Sequence, residues 1–388
     1  MTTLAIAGNV LLANEFVSAT IFISDGQIVS IKSGLDACAD FIAEGWIAPG
    51  WIDLQVNGAY GFDFTTDVTA VVQVAKRLPM TGVTAFLPTV ITSPLENYPP
   101  IFRDLAAATI DADGAEILGV HLEGPYLNPK RKGAHNANFL RAPNVNEIET
   151  WAGSPLVRMV TLALELPGAL EMIRRLRTQG VVVSAGHSDA GYAQAVNAFQ
   201  NGVGYGTHLY NAMSPLTHRE PGLVGAYLAT DMPCGLIVDG VHVHPAVVNA
   251  TYRAKGARGI TLVTDAMAAM GMGPGRYKLG DREVIVDANS ARLDDGTLAG
   301  SILQMDVAIR NLIDYTGCSL ADAMTMASTT PARVLGLNSK GRIDQGCDAD
   351  LVVLDKSLRV QMAIAHGEIV YDRNHLKTRF LDGKLPSV

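Results

Sequence analysis

The sequence predicts an α/β fold, a (β/α)8 TIM-like barrel carrying a small β-sandwich domain built from both termini. Three observations predict it. Eight short runs rich in Val, Ile and Leu occupy the middle of the chain, and stretches of helical period follow several of them. Those runs are continuously apolar rather than alternating, which suits a parallel sheet buried on both faces. The two ends of the chain instead carry alternating patterns and tight-turn dipeptides.

The first 47 residues read as all-β. LAIAG and NVLLA are short apolar runs, and ATIFISDGQIVSI is two alternating runs joined by Asp25-Gly26, a strong hairpin signal. The other end is similar, with ADLVVLD and then MAIAHGEIVYD turning at Gly367. Neither end has enough strands for a stable sheet alone. One domain is therefore expected from residues 1–47 and 343–388, flanking a barrel at 48–342.

The eight barrel runs are WIDLQVN, GVTAFLPTV, EILGVHLEG, VRMVTLALEL, VVVSAGH, GVGYGTHL, CGLIVDGVHV and GITLVTDA. Helical patterns fall at 66–78, 94–109, 167–178, 189–200, 245–255 and 303–315. A doubly wound open sheet is the competing arrangement; it has fewer strands, and no G-x-G-x-x-G follows the first run. Segment 276–300 alternates around Asp-Gly turns and reads as a β-hairpin excursion after the eighth strand, before a closing helix. Lys130-Arg131-Lys132 lies in a long loop after the third strand and reads as a solvated face.

Composition narrows the function. The 388 residues are 48% hydrophobic and 18% charged, against a usual charged share of about 25%, which describes a well-buried globule. A net charge of −8 and a pI near 5.6 disfavour a broad polyanion-binding face, so no nucleic acid partner is expected, though a local basic pocket for one small anion is compatible. Cys38, Cys234, Cys318 and Cys347 are scattered without a C-x-x-C pair, and read as reduced thiols of a cytoplasmic protein. The start has no basic n-region, and no run of 18 apolar residues occurs, so neither a secretion signal nor a membrane span is expected.

In such a barrel, chemistry sits at the C-terminal ends of the strands. Gln55 and Asn57 follow the first strand, Glu123 the third, His187 the fifth and His208 the sixth; Asp239 and His242 follow the seventh, and Asp265 the eighth. Singly, each has an ordinary reading. A strand-end His can be a hydrogen-bonded residue at a core edge, and Asp189 or Asp265 can be a helix N-cap. Jointly, Glu123, His187, His208 and Asp265 would converge on one mouth, where two imidazoles and a carboxylate form a zinc-type ligand set. Such a set leaves an open position for water, whose pKa can drop to about 7, and a neighbouring carboxylate such as Asp265 can take the proton. His135, His242 and Arg219 are further candidates, and loop 211–222 offers donors for a phosphate.

These residues sit in longer matching strings: PGWIDLQVNG, HLEGPYLNPKRKGAH, SAGHSDA, THLYNAMSP, REPGL, DGVHV, LVTDAM and LAGS, with GRIDQGCDADLVVLD near the end. They resemble the N-acetylglucosamine-6-phosphate deacetylase branch of the amidohydrolase superfamily over nearly the whole chain. The resemblance implies hydrolysis of the N-acetyl group of N-acetylglucosamine 6-phosphate to glucosamine 6-phosphate and acetate, in amino-sugar catabolism. It implies Glu123, His187 and His208 as ligands of a divalent ion, zinc foremost with iron or another divalent ion as alternatives. Asp265 corresponds to the general base and acid, and His135 to the group that helps polarise the acetamide carbonyl. Asn211, the backbone of Ala212, and His242 correspond to contacts with the sugar phosphate. Arg219 corresponds to an arginine that reaches the neighbouring subunit's site, which implies a homodimer. Where many superfamily members carry His-x-His after the first strand and bind two metals, this chain has Gln55-Val56-Asn57. Amides are poor ligands beside imidazoles, so one metal per subunit is expected.

Two alternatives stay open at this level. One is a deacetylase of N-acetylgalactosamine 6-phosphate or another amide hydrolase on the same barrel; the other is a non-catalytic phosphosugar-binding barrel, which would require a broken ligand set. A Schiff-base aldolase is disfavoured because no Lys closes any of the eight runs.

Overall fold

The computed structural model describes residues 4–110, 112–151 and 154–373. The stretch 374–388, expected in the small domain, lies outside the described residues. Eight parallel strands pair in chain order: Trp51–Val56, Val83–Ile91, Val120–Glu123, Val157–Leu162, Val182–Ala185, Val203–Gly206, Cys234–Leu236 and Ile260–Leu262. All six residues of the first, Asp53 and Gln55 included, and all nine of the second are buried, as a parallel sheet covered on both faces requires. The barrel closes at its C-terminal rim. There Asp265 N–H donates to Gln55 O at 3.0 Å and Asn57 N–H to Ala266 O at 2.8 Å, beside a parallel bridge between Val56 and Ala266. Closure therefore falls at the residues that matter for chemistry.

The outer helices follow the helical patterns. Ala169–Thr178 buries Ala169, Met172, Ile173 and Leu176, one face at a 3.6-residue period, and places Arg175 and Arg177 in its last turn, where the helix dipole favours cations. Tyr98–Ile110, Tyr192–Asn201, Pro245–Lys255 and Met305–Thr316 occupy the corresponding stretches. At 66–78 the regular helix is only Val71–Ala75, followed by a 3-10 turn at Leu78–Thr81. Pro79 lacks an N–H and restricts Leu78, which cuts the pattern short. The expected excursion is a three-stranded antiparallel sheet of Gly275–Leu279, Arg282–Val286 and Ala291–Arg292.

Strands from both ends join in one seven-stranded sheet. Phe41–Pro49 runs parallel to Leu4–Leu12 and antiparallel to Leu351–Leu354, so it is the seam between the two ends of the chain. LAIAG and NVLLA form one strand, not two. Asn9 points to solvent, and a Cβ on Gly8 would lie 3.0 Å from the Ala43 Cβ, so Gly8 marks close strand approach rather than a break. The sheet curls until Gln27 bridges Asp348, enclosing Ile6, Val10, Ile21, Ile28, Ile47, Leu351 and Ile364. Leu11, Ala48, Val352 and Leu354 instead belong to the barrel core.

An ionic cluster ties the two parts together. The Lys340 ammonium, 5% exposed, sits 2.5 Å from Glu116, 2.6 Å from Asp350 and 3.0 Å from Asp348, and His366 lies 2.9 Å from Glu116. Burial pushes the Glu116 carboxyl up, but the His366 hydrogen bond and the Lys340 charge outweigh it and hold it at about 2. A carboxyl depressed on folding contributes stability above its ordinary value of 4.5, and that contribution is lost as pH falls toward 2. Lys340→Met would leave three carboxylates facing one another. It is expected to cost about 3–5 kcal/mol near neutral pH, seen as a lower Tm by calorimetry. The gap should narrow below pH 4.5, where the carboxylates of the variant protonate; an equal gap at pH 7 and pH 4 would refute the account.

Candidate active site

Three strand ends turn sharply at the rim. His187, His208 and Asp265 adopt φ of 49°, 22° and 50°, a left-handed conformation that costs a non-glycine residue about 1–3 kcal/mol and concentrates at functional sites. Close packing enforces the turns. A Cβ on Gly186 would fall 2.2 Å from the Thr207 Cγ2 of the next strand end, so only glycine admits that approach. The Asp265 turn is clasped from outside, where its carbonyl accepts from Ser301 N at 2.7 Å and the Ser301 hydroxyl donates to Thr264 O at 2.5 Å. From inside, the buried Asp53 carboxyl accepts the Thr264 hydroxyl at 2.6 Å. Neither Asp265 nor Asp189 caps a helix. The turn at Asp265 leads into no helix, and Gly191 holds the cap position after Asp189.

The turns bring the expected ligands together. Glu123 Oε1 lies 2.9 Å from His208 Nε2 and 3.3 Å from His187 Nε2, and the two imidazole nitrogens are 3.1 Å apart. His187 Nδ1 donates to Arg131 O at 2.8 Å, which leaves the lone pair of its Nε2 facing Glu123 and His208. Three lone-pair atoms at such separations need a shared cation or shared protons. Ligands bonded at about 2.0–2.2 Å around a tetrahedral ion stand roughly 3.3–3.5 Å apart, so the residues present fit a small divalent metal. Glu123, His135 and His187 also come within 4.8 Å of one another. His135 faces the other carboxylate oxygen, Oε2, at 3.5 Å, a looser approach than His208 makes. Burial pushes the Glu123 carboxyl up, yet the hydrogen bonds of His135, His187 and His208 hold it well below the usual carboxylate range.

His135 and Asp265 complete the rim. Burial pushes the His135 imidazole down to about 4, so it is neutral at pH 7. Its Nδ1 accepts from Thr92 N–H at 3.4 Å, so Nε2 carries the proton toward the pocket. Burial pushes the Asp265 carboxyl up to about 6, with His208 opposing and Glu123 reinforcing the shift. Asn57 Nδ2 donates to Asp265 Oδ1 at 2.7 Å and fixes its plane.

These groups line one cavity of about 260 Å³, which also takes in Asn211, Ala212 and His242. That volume lies just under the roughly 300 Å³ at which drug-sized ligands are held, so it suits a small polar molecule. His242 is steadied by Asp239, whose Oδ2 accepts its Nδ1–H at 2.6 Å. Arg219 is exposed on its loop and does not line the cavity of its own chain.

Arg131 corrects the sequence reading, because it is half-buried on the cavity wall, whereas Lys130 is solvent-exposed as expected and also reaches the cavity edge. Arg131 pairs with Asp189 at 2.7 Å, Asn128 N–H donates to His187 O at 3.0 Å, and the Asn128 side chain reaches Glu165 at 2.6 Å. Glu165 in turn accepts the Ser188 hydroxyl at 2.5 Å and Asp189 N–H at 2.6 Å. Sequence reasoning passed over Glu165, although a lone acid within the apolar run VRMVTLALEL was a usable signal. The excursion sheet adds Leu279, and Thr297 and Leu298 follow it onto the cavity wall.

Comparison with known proteins extends the picture. Residues 46–385 match the Amidohydrolase family. The N-acetylglucosamine-6-phosphate deacetylase of Bos taurus is 43% identical over 341 residues, covering 84% of this chain and 83% of that protein. The enzyme of the same name from Bacillus subtilis (strain 168) is 38% identical over 368 residues, covering 90% and 92%. Among solved structures, the Thermotoga maritima N-acetylglucosamine-6-phosphate deacetylase superposes with a TM-score of 0.87 at 35% identity, covering 96% of this chain and 100% of that one. A mutant deacetylase from Mycobacterium smegmatis, solved in complex with N-acetyl-D-glucosamine-6-phosphate, superposes with a TM-score of 0.88 at 34% identity, covering 95% and 100%.

Proposed function

The chain belongs to the amidohydrolase family, and from that premise we propose that it hydrolyses the N-acetyl group of N-acetylglucosamine 6-phosphate, giving glucosamine 6-phosphate and acetate in cytoplasmic amino-sugar catabolism. The observation that carries this reading is the convergence of Glu123, His187, His208 and Asp265 in one cavity beside a neutral His135.

Glu123, His187 and His208 would hold one divalent cation per subunit, zinc foremost. When bound, that ion supplies Lewis acidity toward the acetamide carbonyl and a water whose pKa is lowered to about 7. Asp265 takes a proton from the attacking water as the new C–O bond forms. Burial suits it to this work, since a carboxyl raised to about 6 is still largely ionised at pH 7 yet readily returns the proton. His135 Nε2–H donates to the carbonyl oxygen as negative charge builds there. Asp265 then hands its proton to the amine as the C–N bond breaks, so that acetate and the amino sugar leave in balance. His242, Asn211 and the Ala212 backbone would meet the sugar phosphate, and binding energy at that remote end orients the amide.

Arg219 is too exposed to serve the cavity of its own chain, and we assign it to the phosphate bound by the partner subunit of a homodimer. Acetate release from N-acetylglucosamine 6-phosphate tests the function, with N-acetylgalactosamine 6-phosphate and unphosphorylated N-acetylglucosamine alongside. Arg219→Ala is expected to lower kcat/KM on the phosphorylated substrate by about 10- to 100-fold, the worth of a charge-assisted hydrogen bond, and to change the unphosphorylated sugar little. Equal losses on both would remove Arg219 from phosphate recognition.

A further inference from the structure

Gln55 and Thr207 form a second layer behind the candidate ligands. Gln55 is 1% exposed and Thr207 fully buried. Gln55 Nε2 donates to Glu123 Oε1 at 3.0 Å, the same oxygen that faces His187 and His208. The Thr207 hydroxyl donates to Gln55 Oε1 at 2.5 Å. The chemistry allows one sense only. An ionised carboxylate accepts and cannot donate, so the amide must turn its NH2 to Glu123, and its carbonyl oxygen then needs a donor on the far side. Thr207 provides that donor from a fixed position, since its own N–H is held by Ala185 O at 3.2 Å and its methyl packs against Gly186.

The neighbouring amide makes the contrast. Asn57 also turns its NH2 to a carboxylate, that of Asp265, but its Oδ1 is buried without a hydrogen-bond partner. Both carboxylates of the pocket are thus covered on this side by N–H groups, and one of the two amides is locked by a hydroxyl. A cation is repelled by an amide N–H and attracted by an amide oxygen. The orientation therefore decides whether this wall of the pocket can ligate a metal.

We infer that Thr207 is a positioning residue that holds the Gln55 amide with its N–H toward Glu123, and that this orientation limits the pocket to a single divalent cation. The inference rests on the reading of Glu123, His187 and His208 as ligands and deepens it, adding which buried hydroxyl sets the metal capacity. Removing the hydroxyl leaves the Gln55 oxygen without a donor and free to turn toward an added cation. Outer partners of this kind alter metal affinity by about 10- to 100-fold.

The test is Co2+ titration of the metal-stripped full chain, followed by equilibrium dialysis and visible absorption, with circular dichroism to confirm the fold. Wild type and Thr207→Ser, which keeps the hydroxyl, should each take up one equivalent. Thr207→Val should bind the first ion at least about 10-fold more weakly and accept a second at excess Co2+. Gln55→Glu, which puts an oxygen where the N–H was, should take up two equivalents with Thr207 intact. A folded Thr207→Val protein that binds one equivalent with wild-type affinity would overturn the role of Thr207. Should that variant fail to fold, a single equivalent in Gln55→Glu would overturn the exclusion by the amide. Wild type binding no Co2+ would instead bring down the ligand assignment itself, an outcome distinct from one equivalent in every variant.

Discussion

Asp265→Asn is expected to yield a folded, cation-binding protein whose acetate release falls by about a thousand-fold or more, within the range a positioned acid–base group supplies. The side chain is nearly isosteric, and the contact with Asn57 Nδ2 at 2.7 Å involves only one carboxylate oxygen, so the amide oxygen can keep it. The backbone clasp to Ser301 and Gln55 is untouched by the change. What disappears is a group that can accept a proton near pH 7 and give it back. Neither Glu123 nor His135 substitutes. Glu123 is held well below the usual carboxylate range by three imidazoles, and His135 is pushed down to about 4. Acetate release measured beside metal content decides the matter: near-full turnover with the cation retained would remove Asp265 from proton transfer, and loss of the cation would make it a ligand.

Much of this site was legible in the sequence because the strands are. Runs such as VVVSAGH and GITLVTDA are mostly apolar until His187 or Asp265 ends them, and in a parallel barrel that interruption falls at the rim. Glu123, His187, His208 and Asp265 could therefore be placed together from their positions alone. The two-ended β domain was readable for a similar reason, since alternating runs at each terminus lacked partners of their own. Arg131 was not legible. Its course is set by Asp189 and by the anchoring of Asn128 on Glu165 and His187, contacts that join segments more than 30 residues apart and leave no local pattern. Thr207 was hidden differently. In GVGYGTHL it reads as one more β-branched strand residue, and only the geometry reveals that its hydroxyl faces an amide whose other end faces Glu123. Gly8 shows the opposite error, where a residue that usually punctuates a strand serves close packing inside one.

Removing the divalent cation should have an effect at least as large. Chelation to a small fraction of an equivalent is expected to reduce acetate release by about a thousand-fold or more, because one step removes both the lowered pKa of the attacking water and the charge facing the oxyanion. The fold should survive, since the barrel rests on a large hydrophobic core and the ligands sit on its rim, not within it. Far-UV circular dichroism should be unchanged while activity is lost, and added Zn2+ or Fe2+ should restore turnover. Side-chain substitutions then separate the two histidine groupings around Glu123. His208 Nε2 stands 2.9 Å from Glu123 Oε1 and 3.1 Å from His187 Nε2, so His208→Ala should bind the ion much more weakly. His135 faces only Oε2 at 3.5 Å and leans on Thr92, so His135→Ala should keep the ion and lose turnover. If the two variants exchange these phenotypes, His135 is the ligand and the oxyanion needs another donor. If turnover persists in chain stripped of metal, the hydrolysis must run on Asp265 and the imidazoles alone.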